Sequence, residues 1–537
     1  MKHLLLFCIG CALFFTAHAQ SADTISRIDE IFTHWNNATP GGSVLVSRNG
    51  SVIYHKAFGL ADLEHNVPNT TETIFEGGSV SKQFTAASLL LLATEGKLST
   101  QDDVRKYIPE LPVYDAPVTI QHLLNHTSGL KDWGSIGSLT GWPRTTRVYT
   151  QELALDIICK QRSLNFTPGT EYSYSNSNYT LLVTIVERVS GMSLAEFTRT
   201  RFFEPLGMTH TQWRDNFREI IPNRSVAYSK TISGYEQMMP FENIHGHGGL
   251  LTTTGDLMKW NALLQTHAIG GDALYAMRVQ QGQLKNRKTI YYAGGLNIGT
   301  FNQYTEISHS GSTAGYRAWL AYYPDKKITI AILSNDANGN VVASGKKIAE
   351  IVLGKSESKM QKPATLELPE PDLKKFTGTY RSIRNFDVFT LSLRDKKLYW
   401  NHMALMPSHR DTLFYNDLKW AYVKPGRVLV RTPQDTSLYR QVNPADSTQR
   451  YLQALAGRFV SKEADTEFTV SVKGNEVWIS RKPATAYKLT PLYYDGYRGS
   501  EFDLLEFKRD RKGTVTGFEI NLSRAERVPF TKVTQTR

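Results

Sequence analysis

The chain has 537 residues, 41% hydrophobic and 21% charged, which excludes wholesale disorder and allows three or four domains. Its formal charge of +12 invites a nucleic-acid reading. Residues 361–537, however, hold 30 basic and 20 acidic side chains, so the last third carries almost all of the excess and the first 360 residues are nearly neutral. No nucleic-acid partner is expected.

Residues 1–19 read as a secretory signal. Lys2 and His3 precede an apolar stretch from Leu4 to Phe15, and Ala17-His18-Ala19 offers small residues for cleavage before Gln20. The stretch is too short to span a bilayer, and no transmembrane segment follows. A secreted or periplasmic location is expected. Lipidation at Cys11 is the weaker alternative, because Cys8 stands where such sites want Leu. Cys159 is then alone in the mature chain and reads as a buried structural thiol.

Runs 42–47 and 51–58 flank Asn49-Gly50, a strong hairpin signal. A helix opens near Ser79 and continues through 86–93. Residues 98–260 read as mostly helical with long loops. Strands are expected at 289–293, 303–309, 315–323 and 327–334, then a helix at 343–353. Strands at both ends of a helical middle predict an α+β catalytic domain over 20–354: an antiparallel sheet with adjacent terminal strands and a helical subdomain. Residues 355–372, with Pro363, Pro369 and Pro371, read as a linker.

The tail repeats. Phe389–Leu393 matches Phe468–Val472, Leu398-Tyr399 matches Val477-Trp478, and Phe376-Thr377-Gly378 matches Leu455-Ala456-Gly457, all at an offset of 79. Two small all-β, barrel-like repeats are expected, 373–447 and 448–537, each of six to eight strands.

The chemistry centres on Ser79-Val80-Ser81-Lys82. A serine hydroxyl needs a base, and Lys82 at i+3 reaches it within one helical turn. Burial would lower the lysine pKa and let it act as a neutral base. Ser-x-x-Lys also occurs at Ser128, Ser344 and Ser356, so the motif alone is weak. The preceding Gly77-Gly78 and the following apolar helix single out Ser79. Tyr-x-Asn occurs at Tyr174 and Tyr399, the second on an expected strand edge. His-x-Gly occurs at His247 and His309, the second leading from a strand into Ser312-Thr313-Ala314-Gly315. His245 and His247 have no nearby third ligand and read as a loop near a cleft, and the i, i+4 pair His122/His126 reads as structural, so no metal site is expected, and no cofactor motif is present. Trp133, Trp142 and the 131–149 stretch fit a pocket wall or a surface loop equally well.

Together, Ser79-x-x-Lys82, Tyr174-Ser175-Asn176 and His309-Ser310-Gly311 resemble, in order and spacing, the three motifs of class C serine β-lactamases and penicillin-recognising serine hydrolases. The blocks 122–130, 168–170 and 248–250 with Asp256-Leu257 agree, and coverage is roughly residues 25–355. The resemblance implies that Ser79 forms an acyl-enzyme and that Lys82 and Tyr174 share proton handling. It implies that Asn176 orients Lys82 and the substrate amide, that the N–H groups of Ser79 and Ser312 form an oxyanion hole beside Gly311, and that His309 shapes the electrostatics near the substrate. One departure matters. Where β-lactamases and DD-peptidases usually carry a lysine that binds the substrate carboxylate, this chain has His309. That favours the branch resembling D-aminopeptidases, D-amino-acid amidases and esterases, whose layout with two small, lipocalin-like barrels the tail also resembles. The expected partner is a small-molecule or short-peptide substrate. A β-lactamase or DD-carboxypeptidase activity, a non-catalytic ligand sensor on the same fold, and contact of the basic tail with an anionic envelope polymer remain open alternatives.

Overall fold

The computed structural model describes residues 23–142, 147–354, 365–384, 386–415, 418–432, 436–482 and 486–533. The signal segment with Cys8 and Cys11, and residues 355–364 of the linker, lie outside the described residues. Two compact units are present. The first comprises Met1–Leu130, Pro143–Cys159 and Phe166–Ser358; the second comprises Lys131–Trp142, Lys160–Asn165 and Lys359–Arg537. Among the described residues no helix is long and apolar enough to cross a membrane.

The first unit is built on a six-stranded antiparallel sheet. Its strands run Asn297–Phe301, Tyr304–Thr313, Tyr316–Tyr323, Ile328–Ser334, Gly42–Arg48 and Ser51–Phe58 in spatial order. The first and last parts of the unit therefore meet in mid-sheet, with Gly42 opposite Ser334 and Arg48 opposite Ile328. The hairpin at its edge turns at Asn49 and Gly50, both at positive φ, as a type I′ turn requires. Strands Gly42–Arg48 and Ile328–Ser334 are buried on both faces because both are covered. One face packs on helix Val341–Leu353 and residues 23–31 through Val44, Val46, Ile330 and Ile332. Helix Thr254–Thr266 lies on the other, with Asn261 donating to the Ala321 carbonyl at 3.2 Å.

One expected strand is displaced. Residues 289–293 make only isolated bridges, and the edge strand is Asn297–Phe301. The alternation that mimics a strand arises because Ile290 and Tyr292 are buried on one side of an irregular loop. Cys159 is half-buried rather than enclosed.

Helix Lys82–Thr94 follows a 3-10 turn over Gly78–Ser81 and is buried from Lys82 to Leu92. It has no polar face, as its run of Ala, Ser and Leu demands of a helix enclosed on all sides.

In the second unit the tail forms a near-closed antiparallel sheet of nine strands and then a closed barrel of eight. The 79-residue offset persists in the fold. Helix Glu370–Lys374 corresponds to Gln449–Leu455. Strand Gly378–Ser382 corresponds to Gly457–Ser461, and Lys397–Trp400 to Glu476–Ser480. The first of these helices starts within the proline-rich segment read as a linker. Trp133 is buried in helix Trp133–Ser138 of this same unit, where the N–H of Asp132 bonds to the Arg524 carbonyl at 3.0 Å.

Candidate active site

The 3-10 turn sets the first feature of the site. Three residues per turn eclipse positions i and i+3, and Lys82 Nζ lies 3.2 Å from Ser79 Oγ. The ammonium end is buried and also bonds to Asn176 Oδ1 at 2.9 Å and to the backbone carbonyl of His247 at 2.6 Å. Both of these oxygens can only accept, so they use two N–H bonds. The third direction faces Ser79. A charged lysine donates along it, and a neutral one presents its lone pair to the serine O–H. The same geometry serves both protonation states, which suits a group that takes and returns a proton.

Asn176 begins helix Asn176–Ser190, so its side chain is fixed at a helix start. Tyr174, two residues earlier, places its ring centroid 4.9 Å from Lys82 Nζ. The block at 122–130 supports this loop from behind. The His126 ring lies 4.3 Å from that of Tyr174, and His126 Nδ1 is 2.9 Å from Asn178 Nδ2. Ser128 donates to Asn178 Oδ1 at 2.6 Å. His122 closes a capping box with Thr119.

The strand Tyr304–Thr313 forms the opposite wall. A Cβ on Gly311 would stand 2.0 Å from the Gly77 carbonyl oxygen, and one on Gly78, at φ +51, would stand 2.6 Å from the Ser312 nitrogen. Glycine at both positions lets the two backbones meet and brings the Ser312 N–H beside the turn that carries Ser79.

His309 is buried behind this wall. Its Nδ1 lies 2.6 Å from the Ser310 carbonyl, which can only accept, so Nδ1 carries the hydrogen. Nε2 then accepts from the Tyr292 hydroxyl at 3.0 Å. Both ring nitrogens are thus engaged within the protein. Burial, and next the charge of Lys82, push the imidazole down to about 4, so it is neutral at pH 7. Between that value and the ordinary 6.5 the unfolded chain binds a proton that the folded chain refuses. Stability from this group is therefore complete above pH 6.5 and is lost as pH falls toward 4, by about 3 kcal/mol in full. His55, His122 and His245 are also lowered chiefly by burial and add to the same slope. Urea midpoints measured from pH 7.5 to 4.5 should fall on acidification. His309→Gln should flatten that slope in part; an unchanged slope would refute the assignment.

Beneath the serine, Glu76 is paired with Arg214. Arg214 Nε lies 2.9 Å from Oε2 and Nη2 lies 3.1 Å from Oε1, and the Gly249 N–H also bonds to Oε1 at 3.2 Å. Both side chains are buried. Glu76 directly precedes Gly77-Gly78-Ser79, so the pair anchors the entry to the turn.

The structure thus brings Ser79, Lys82, Tyr174 and Asn176 together, places Gly311 and Ser312 against the same turn, and sets His309 one layer back. The second Tyr-x-Asn lies at the end of strand Lys397–Trp400 in the other unit. Sequence reasoning missed Tyr292 and the Glu76–Arg214 pair, and read the His245–His247 loop only as lying near a cleft. Among the described residues, Asp62, Glu64 and His65 alone are grouped closely enough to hold a metal ion, on the surface.

Residues 23–354 match the family described as Beta-lactamase. Penicillin-binding protein 4* of Bacillus subtilis (strain 168) is 32% identical over 310 residues, covering 55% of this chain and 68% of that protein. The D-aminopeptidase of Brucella anthropi is 25% identical over 527 residues, covering 93% of this chain and 96% of that protein. The octameric penicillin-binding protein homologue from Pyrococcus abyssi shares the fold, with a TM-score of 0.54 at 24% identity over 87% of this chain and 99% of that one. With the family match spanning more than half its length, the chain belongs to the beta-lactamase family.

Proposed function

We propose that the protein is an exported serine hydrolase that cleaves amide or ester bonds of small substrates through an acyl-enzyme on Ser79. The observation that carries this reading is the set of three acceptors around Lys82 Nζ, with the nucleophile hydroxyl as the third. Ser79 Oγ attacks the substrate carbonyl and its proton passes to the Lys82–Tyr174 pair. The developing oxyanion is met by the backbone N–H groups of Ser79 and Ser312. The proton then goes to the leaving amine or alcohol, and water, activated by the same pair, releases the acyl group. Asn176 holds Lys82 in line.

Neutral His309 removes the fixed cation that a substrate carboxylate would need, which favours amides and esters without one. The likeness to a D-aminopeptidase along nearly the whole chain, tail included, supports D-aminoacyl amides as the first substrates to try. Export rests on the pattern of residues 1–19. A fluorophosphonate probe should label the folded protein at Ser79. Turnover should be higher on D-aminoacyl amides and short esters than on a chromogenic cephalosporin. No labelling, together with equal inactivity of wild type and Ser79→Ala across that panel, would overturn the reading. Faster cephalosporin hydrolysis would replace it with a β-lactamase.

A further inference from the structure

We propose that the first unit binds a small monovalent inorganic anion, of the size of chloride, between the guanidinium of Arg278 and the carboxamide of Gln83, against the ring of Trp260. Arg278 lies in the last turn of helix Gly271–Val279 and is 1% exposed. Its Nε and Nη2 have no hydrogen-bond partner among the described residues, and no carboxylate pairs with it there. Burial lowers its pKa to about 10, so it remains a cation at neutral pH. Its Cζ stands 4.6 Å from the Trp260 ring centroid. That contact softens the burial of a charge but supplies no acceptor to its N–H groups.

Gln83 has the complementary deficit. It is 1% exposed, its Oε1 accepts from Trp260 Nε1 at 3.1 Å, and its Nε2 donors have no partner among the described residues. The two orphaned donor groups therefore flank one indole. The Gly294-Gly295 loop ties their backbones together: the Gly294 N–H bonds to the Arg278 carbonyl at 3.0 Å, and a Cβ on Gly295 would stand 2.7 Å from the Lys82 carbonyl and the Gln83 nitrogen. Buried donors require acceptors, and a buried cation requires a counter-charge. Water would satisfy the donors but not the charge. Arg278 is the one cation over the Trp260 ring among the described residues, and a single positive charge selects a monovalent ion over sulfate or phosphate. Gln83 follows Lys82 directly, so the ion would brace the first turn of the helix that carries the site. This inference stands independently of the hydrolase reading.

The test uses the full chain, exchanged into sodium gluconate and titrated with sodium chloride or bromide at constant ionic strength. The wild-type thermal midpoint should rise and saturate with either halide. Arg278→Met should abolish the response, and Arg278→Lys should retain it at weaker affinity. Crystals of the wild type soaked in bromide should show an anomalous peak within hydrogen-bonding distance of Arg278; this measurement needs no variant to fold. A midpoint indifferent to halide, an undiminished response in Arg278→Met, or water without anomalous signal beside Arg278 would each overturn the proposal.

Discussion

Ser79→Ala is expected to lower kcat/KM by roughly 10^4- to 10^6-fold on the best substrate, and Lys82→Ala by a similar factor. The double variant should be no worse than either single one. The reason is the shared bond: Lys82 is held by Asn176 and His247 and reaches Ser79 at 3.2 Å, so in the proposed mechanism Ser79 and Lys82 act in one step. Removing either end removes the same step. Multiplicative losses in the double variant would mean that the two act in separate steps. Far-ultraviolet circular dichroism and the unfolding midpoint should stay near wild type for Ser79→Ala, which separates lost chemistry from lost structure.

Glu76→Gln should destabilise the protein by about 3–5 kcal/mol, and Arg214→Met by a comparable amount. Each leaves an enclosed charge without its nearer partner, since Glu242 stands farther from Arg214. The wild-type pair is supported by two short contacts and the Gly249 N–H, with Glu242 a further carboxylate 4.0 Å from Arg214 Nη2. Replacing both residues with apolar ones of similar volume should cost less than either single change, because neither member of the pair is left buried without the other. Urea unfolding of the three variants measures this directly. Since Glu76 abuts Gly77, the single variants should also lose activity through a misplaced Ser79. A destabilisation under about 1 kcal/mol would show that the pair is not the anchor.

Legibility followed distance along the chain. Ser79 and Lys82 could be read because their relation is local and periodic. The hairpin at Asn49-Gly50 was equally plain, since only positive φ fits that turn. The three-motif order located Tyr174, Asn176 and His309. By contrast, the acceptor from His247 is a backbone oxygen, which any residue would supply, so composition could not mark it. Glu76 and Arg214 are ordinary surface types until folding joins them across 138 positions. Tyr292 was hidden by its own pattern, since alternate burial in a loop imitates a strand. In the tail the constant offset revealed the duplication, but the numbers of strands, nine and eight, depend on long-range pairing that short runs do not encode.

The adjacency of the strands Gly42–Arg48 and Ile328–Ser334 also has a meaning in time. The hairpin, complete at Phe58, finds its sheet partner only when the chain has been made as far as Ile328–Ser334. The serine turn rests on Tyr304–Thr313, which joins that sheet two strands from the seam. Pairing over such separations is slow, because the loop must close before its contacts are gained. No N-terminal fragment ending before Ile328 can complete the sheet that backs the nucleophile. The growing chain therefore carries Ser79 and Lys82 for most of its synthesis without the sheet that backs their turn, so the proposed chemistry should await completion of that sheet.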